Sequence, residues 1–530
     1  MPNSDSALPQ FSYKKRLLSN ILSNWAGYAV GIVVSFLLTP YILASIGQTR
    51  YGIWALASTL TGYYGLLDLG FRAGVTQYLT RHLAAGNSDS LNKSASTGFF
   101  TLMGCGVFVL AGTTLVATLA HIFFHVPPGL LREVRLVILV VGASAAIEFV
   151  FFTYSAVFTA VQRFDISNGI GICTRLLSAS FIIFALKMGY GLVGISIAMS
   201  CANLIDYLLR WRFAVGLLPS LRIAPSLVNY RSLMDFASFG FWNFIIRGST
   251  RLISCTDALV IAAYMPVSAV TPFALAASLR DNLDNAFAPV GQVFFPAATE
   301  MDAKGRVDEL RKLYLTGSRG MFLLSFAVGS VAILCSSGFF RLWVGPRFAQ
   351  PTGYPAVSFL FSLLAIGSIV TSGQRIGYQV LMGMRKIRLL AVLFIAEGLA
   401  NLIVSLALVR TWGLVGVAIG TTAPALLFQG IVQPFFVCGV LGISWWAYIR
   451  EVVLRPCALA LVFSLGIIGA RYLEPVAGWG ALVALAAAGS CLALLSLAII
   501  GLKTDERKTL LFSPARGLAR RLRALLYRCA

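Results

Sequence analysis

The sequence carries little charge and almost none of the patterns of soluble chemistry. Only 12% of its 530 residues are Asp, Glu, Lys or Arg, against ~25% in ordinary globular proteins. It has no GxxxxGK[ST] loop, which argues against a P-loop nucleotide site, because that chemistry needs a glycine-rich backbone cradle followed by the lysine. It has no HExxH and no CxxC, so the common zinc-protease and dithiol patterns are missing. The nine cysteines, Cys105, Cys173, Cys255 and Cys438 among them, are scattered through apolar runs and read as small packing residues. His121 and His125 share a helical face in HIFFHVPP, but no carboxylate or thiol stands near to complete a metal site. Gly104 and Gly106 lie inside an apolar run and read as helix packing, not as a dinucleotide loop. No polar stretch is long enough for a soluble catalytic domain. The expectation is therefore no enzymatic activity, no cofactor and no metal.

What the chain does have is apolar length. Hydrophobic residues make up 58% of it, in runs of ~20, enough to cross a ~30 Å hydrocarbon core as helix. The pattern predicts an all-α polytopic membrane protein with fourteen spans. They fall near 20–46, 51–79, 95–120, 136–161, 166–186, 190–209, 236–264, 270–298, 319–338, 357–382, 389–409, 413–441, 452–470 and 477–501. No cleavable signal is expected, since a polar and basic start leads directly into the first span.

The net charge of +22 looks at first like a nucleic-acid footprint, but its placement is topological. With Lys14, Lys15 and Arg16 on the cytoplasmic side, 28 Lys/Arg fall in cytoplasmic segments, 8 in the opposite loops and six inside spans. That bias is the positive-inside rule, and it places both termini in the cytoplasm. No nucleic-acid partner is expected. In the basic tail, Leu518, Leu522, Leu525 and Leu526 share one helical face with arginines largely off it, which suits an anionic cytoplasmic leaflet.

A repeat appears at an offset of 219 residues: ALASTL at 55–60 answers ALAASL at 274–279. RHLAAG ending at Gly86 likewise answers EMDAKG ending at Gly305. Six spans separate the copies, so they run parallel about an axis along the membrane normal. The expected organisation is a cytoplasmic segment 1–19, a first lobe 20–209, a cytoplasmic linker 210–235, a second lobe 236–441, two added spans in 442–501 and a basic amphipathic tail 502–530.

The stretch from Asn24 to Leu79 resembles the opening of polysaccharide-biosynthesis flippases, the O-antigen (Wzx-type) members of the multidrug/oligosaccharidyl-lipid/polysaccharide exporter superfamily. The matching residues are Thr39-Pro40, Gly47, Tyr51-Gly52-Ile53-Trp54 and Leu67-Asp68-Leu69-Gly70. Pro296-Ala297-Ala298-Thr299-Glu300 and Leu342-Trp343-Val344-Gly345 look like that family too. The resemblance implies two pseudo-symmetric six-helix lobes around a central cavity. It implies carriage of an undecaprenyl-pyrophosphate-linked oligosaccharide from the cytoplasmic to the periplasmic leaflet of a bacterial inner membrane, by alternating access. Sister families use ion gradients, and other polysaccharide-assembly membrane proteins are candidate partners.

Six arginines lie inside expected spans: Arg72, Arg175, Arg247, Arg251, Arg280 and Arg375. A guanidinium at bilayer depth costs at least ~2.5–3.5 kcal/mol, so each calls for a partner, a watery cavity or an anionic ligand. A lipid pyrophosphate offers acceptor oxygens that arginine matches bidentately. Arg247 and Arg251, one turn apart on one helix, are the first candidates for it. Arg175 either faces the cavity or pairs with Glu148 or Asp206. Arg280 either meets the ligand or pairs with Asp281 and Asp284. Arg375 is a cavity candidate that snorkelling to head groups also explains, and Arg72 has Asp68 one turn away as a structural partner. Asp257 and Glu397 are the more isolated intramembrane carboxylates by sequence, candidates for ion coupling or for neutralising an arginine. Tyr63, Tyr64 and Tyr78 either stack on sugars or belong to the core. The alternative within the superfamily is a multidrug exporter. A membrane-embedded glycosyltransferase would need a large catalytic loop that the sequence lacks.

Overall fold

The computed structural model describes residues 10–292, 294–351, 353–454 and 478–496. Every regular element among them is helical. The span expected at 452–470 and the tail 502–530 lie almost wholly outside the described residues. Eight of the described helical stretches are long and apolar enough to cross a membrane. Large apolar side chains such as Val107, Phe108, Leu115, Phe184, Val392 and Ile403 are exposed on them. In water such a surface would be an aggregation patch; facing lipid it is the ordinary outside of a bundle.

By packing, the chain divides between Ala274 and Leu275. The first unit holds α1 (Gln10–Tyr64), α2 (Phe71–Ala84), α3 (Ser88–Phe123), α4 (Leu131–Ala160), α5 (Phe164–Lys187), α6 (Gly191–Leu217) and α7 (Tyr230–Tyr264). The sequence reading opens its second half at residue 236, whereas α7 packs against α1, α2 and α3. Close approaches hold these helices together: a Cβ on Gly74 would come within 2.8 Å of the Phe236 backbone, and one on Gly142 within 2.2 Å of Thr113. The linker before α7 is laced to the start of α3. Asn92 binds Ser220 O and the Arg222 amide, and Thr97 Oγ1 accepts the Asn229 amide at 2.9 Å.

The second unit takes most of α8 (Val270–Gln292), then α9 (Phe294–Ala303), α10 (Val307–Trp343), α11 (Pro346–Ala349), α12 (Val357–Gly373), α13 (Arg375–Gly383), α14 (Ile387–Leu427), α15 (Gln433–Leu441) and α16 (Trp445–Tyr448). A further helix, Trp479–Ser496, packs on α10. Two π-helical turns, Phe428–Val432 and Ile449–Val453, interrupt the later helices; such turns often mark functional positions.

Several expected spans are continuous or broken differently. The first two merge in α1, whose boundary survives as a kink at Gly47 (φ 77°, ψ 171°). The second breaks before its expected end, because Leu69 (φ 48°) and Gly70 (φ 81°) are both left-handed. The eleventh and twelfth merge in α14 across Gly413 (φ 55°, ψ −131°).

The repeat is plainer in the turns than in the letters. After α2, Gly86 (φ 65°) closes the helix with Gly86 N to Leu83 O and Asn87 N to His82 O. After α9, Gly305 (φ 65°) does the same with Gly305 N to Asp302 O and Arg306 N to Met301 O. Both are glycine-closed Schellman endings. The turn at Gln162 (φ 55°) and that at Arg385 (φ 57°) form a second matched pair, with Arg163 N to Phe158 O and Lys386 N to Leu381 O.

Candidate functional site

In the first unit the charges gather where α1 gives way to α2. A 3-10 turn, Gly65–Asp68, ends in the buried Asp68. Asp68 Oδ1 accepts the Gly70 amide at 2.8 Å, so the carboxylate supports the break itself. Arg72 Nη1 donates to Glu148 Oε1 at 2.7 Å, and its Nε lies 3.5 Å from Asp68 Oδ2. Its guanidinium also sits 4.2 Å from the Phe149 ring centre and 4.9 Å from that of Phe152. Two acids and two rings hold Arg72.

Arg247 and Arg251 lie near this break on α7, and both are exposed. Arg247 adds its positive field at Asp68. Arg251 lies against α1 at Gly62, where a Cβ would stand 3.6 Å from its Nη1. Among the described residues, neither forms an ion pair with a carboxylate; the nearby acids Asp68 and Glu148 pair with Arg72. Asp257, one helix with them, is 5% exposed and next to Thr256, whose hydroxyl shares a 2.7 Å hydrogen bond with that of Tyr63.

Arg175 is exposed on α5 and donates from Nη1 to the Gly27 carbonyl of α1 at 3.0 Å. Gly31 makes room for it, since a Cβ there would come within 2.2 Å of Nη1. Neither acid offered as its partner takes that role. Glu148 binds Arg72, and Asp206 binds Arg210 and Thr174.

In the second unit, Asp284 collects the charges. Arg280 Nε lies 3.2 Å from Asp284 Oδ2, and its Nη1 lies 3.1 Å from Asp281 Oδ1. Ser368 and Ser372 donate to the two Asp284 oxygens at 3.2 and 3.3 Å. Arg375 Nη2 donates to the Asp284 carbonyl at 2.9 Å, with Oδ1 at 4.0 Å. Arg375 reaches back into α8, where it meets this carbonyl and carboxylate. Two arginines against two aspartates leave this cluster neutral. Glu397, 2% exposed on α14, accepts from Gln429 Nε2 on both oxygens at 2.8 and 2.9 Å. Gln429 lies in the first π-helical turn.

One buried cation escapes the sequence reading. Arg319 sits at an expected span edge and is counted there with the cytoplasmic flank, yet it is 2% exposed on α10, with Nη1 3.7 Å from Glu451 Oε2 in the second π-turn. A polar cluster adjoins it: Tyr314 stacks on Tyr448 at 5.7 Å, and Gln374 Nε2 donates to Tyr448 OH at 2.8 Å. The available signal was the apolar row of Leu315 and Leu323, one turn either side of Arg319.

Known proteins match this chain along most of its length. The model of a family described as "Polysaccharide biosynthesis protein" matches residues 17–302, more than half of the chain. The "Putative O-antigen transporter" of Shigella flexneri is 20% identical over 426 residues, covering 79% of this chain and 97% of its own. The "Uncharacterized membrane protein EpsK" of Bacillus subtilis is 20% identical over 508 residues, 93% of this chain and 97% of its own. Among solved structures, "Lipid II flippase MurJ, inward closed conformation" superposes with a TM-score of 0.70 at 11% identity, covering 90% of this chain and 98% of that one. At such identity the likeness speaks to fold.

Proposed function

The chain belongs to the polysaccharide biosynthesis protein family, and from that premise we propose that it is a flippase for a lipid-linked glycan. The cargo is an undecaprenyl-pyrophosphate-linked oligosaccharide, moved from the cytoplasmic to the periplasmic leaflet of the bacterial inner membrane for O-antigen or exopolysaccharide synthesis. The names of its relatives support this reading: one is described as an O-antigen transporter, and a structural neighbour as a lipid II flippase.

The observation that carries the proposal is the Arg247–Arg251 pair. Two exposed guanidiniums stand one turn apart on α7. Among the described residues, that helix is not one of the eight stretches long and apolar enough, by length and composition, to cross a membrane. Two like charges on one face of such a helix are tolerated where water or an anion lies between them. A pyrophosphate supplies about two negative charges and bidentate acceptors. In this reading Arg247 and Arg251 hold the pyrophosphate and Arg175 is a third contact. Arg280 and Arg375, neutralised at Asp284, reach the cargo only when that network opens. Two lobes would alternate access to the cargo, α7 moving with the helices α1, α2 and α3 that it packs on, with both termini cytoplasmic. Asp257 and Glu397 are the proposed coupling carboxylates, each releasing or taking a cation as the lobes move.

The decisive experiment deletes the protein and determines in which leaflet the lipid-linked sugars reside. Accumulation of an undecaprenyl-linked oligosaccharide on the cytoplasmic leaflet supports the reading. Unchanged glycan export together with lost drug resistance would overturn it in favour of a multidrug exporter.

A further inference from the structure

The tyrosines that the sequence offers for sugar stacking are committed elsewhere. Tyr63 bonds Thr256, Tyr64 is 7% exposed, and Tyr78 packs on Phe236 with ring centres 5.6 Å apart. An open aromatic occurs instead at Tyr190, 65% exposed in the turn between α5 and α6. Gly189 (φ 77°) and Gly191 (φ 55°) flank it in left-handed conformations, which present the ring on a tight turn.

Tyr190 borders a recess of about 220 Å³ in the first unit. The other walls come from separate elements: Ser45, Ile46 and Arg50 around the α1 kink, and Glu133 from the start of α4. Arg50 Nε donates to Glu133 Oε2 at 3.0 Å, and both side chains keep water access, at 43% and 24% exposure. The kink at Gly47 therefore does local work, turning α1 where Arg50 meets α4.

The chemistry of this recess differs from that of the Arg247–Arg251 pair. Its guanidinium and carboxylate cancel, so it offers no net attraction to an anion. Their single bond engages Arg50 Nε and Glu133 Oε2, leaving the Arg50 terminal nitrogens as donors and Glu133 Oε1 as an acceptor. A sugar hydroxyl both donates and accepts, so adjacent hydroxyls complement such a pair. The Tyr190 ring supplies an apolar face with a polar tip for the C–H side of a sugar ring. The volume is below the ~300–1,000 Å³ of pockets for drug-sized ligands, so the recess suits a single ring rather than a whole oligosaccharide.

We propose that this recess is a saccharide subsite that takes one neutral pyranose ring, with Tyr190 as platform and Arg50 and Glu133 as the hydroxyl-binding pair. Its role in transport rests on the flippase reading: in the proposed orientation the loops at 47–50, 121–135 and 187–189 are periplasmic, so the subsite would receive a sugar of the emerging glycan.

The test uses the full chain in lipid nanodiscs with free methyl β-glucopyranoside, methyl β-galactopyranoside and N-acetylglucosamine, read by saturation-transfer NMR. At least one sugar should receive saturation from the protein, and Tyr190→Ala should weaken that binding about tenfold, equivalent to ~1.4 kcal/mol. Tyr190→Phe should retain it, which separates loss of the platform from loss of the fold. The proposal fails if none of the three sugars receives saturation, if Tyr190→Ala binds as the parent does, or if inorganic pyrophosphate displaces the sugar. Because free sugars on isolated protein are the readout, a failure here leaves the leaflet test of the flippase reading intact. A failure of that test leaves sugar binding to be judged separately.

Discussion

Arg247 and Arg251 differ from Arg72, Arg280 and Arg375 because no acid among the described residues pairs with them, and from Arg175 because they stand one turn apart on one helix. A hydrogen bond to a charged group contributes roughly 1.5–3 kcal/mol, and each ~1.4 kcal/mol is tenfold. Arg247→Ala and Arg251→Ala should each reduce glycan export by about 10- to 100-fold with normal membrane insertion. Lysine at either position should restore only part, since it lacks the bidentate fork. Wild-type export by both alanine variants would remove them from the site. Arg72→Ala should act differently. It leaves Asp68 and Glu148 without their shared cation, lowering thermal stability by on the order of 1–3 kcal/mol, with transport per folded molecule preserved. Asp284→Asn leaves Arg280 and Arg375 without a shared counter-charge, so it should destabilise the protein. The Asp284→Asn/Arg280→Ala double variant should recover part of the loss in a thermal-unfolding cycle; strict additivity would show that the network carries no coupling.

At the scale of elements, the matched turns are the clearest sign of repetition. Gly86 and Gly305 share φ 65° and the same pair of closing hydrogen bonds. A Cβ costs roughly 1 kcal/mol in that conformation. Gly86→Ala and Gly305→Ala should therefore lower stability by similar amounts, about 1 kcal/mol each, in thermal unfolding of purified protein. Gln162→Gly should raise it slightly, because Gln162 already carries a Cβ at φ 55°. A harmless change at one glycine and a severe one at the other would refute the equivalence of the turns. ALASTL and ALAASL hint at this repeat only faintly. Turn geometry tolerates almost any side chain at the flanking positions, so the backbone keeps a pattern that the letters lose.

At the scale of the whole molecule, the proposed transport needs a driving force. Glu397 is buried and clasped by Gln429 at a π-helical turn, a place where a helix readily changes its hydrogen bonding. If it couples an ion gradient to transport, collapsing the gradient across vesicles should slow export by the parent and leave the slower export of Glu397→Gln unaffected. Equal sensitivity in both would remove Glu397 from the coupling route. The helical, multi-pass character was legible because apolar runs of ~20 residues announce themselves. The kink at Gly47 lies where the first loop was expected. The break at Leu69-Gly70 was not expected, since a run of apolar letters hides an Asp68 side chain that captures the Gly70 amide.

The sequence by itself determined membrane residence, helical class and a shortlist of costly charges, because hydropathy, run length and charge count are local and additive; the family came from the resemblance of particular residues in Asn24–Leu79. Only the tertiary structure decided which of those charges are already spoken for. Arg72 finds Glu148 across 76 residues, and Arg375 finds Asp284 across 91. Such pairings depend on which helices pack together, not on spacing along one of them. The same packing buries Arg319 and assembles the recess at Tyr190 from three distant segments, which no reading of neighbouring letters brings together.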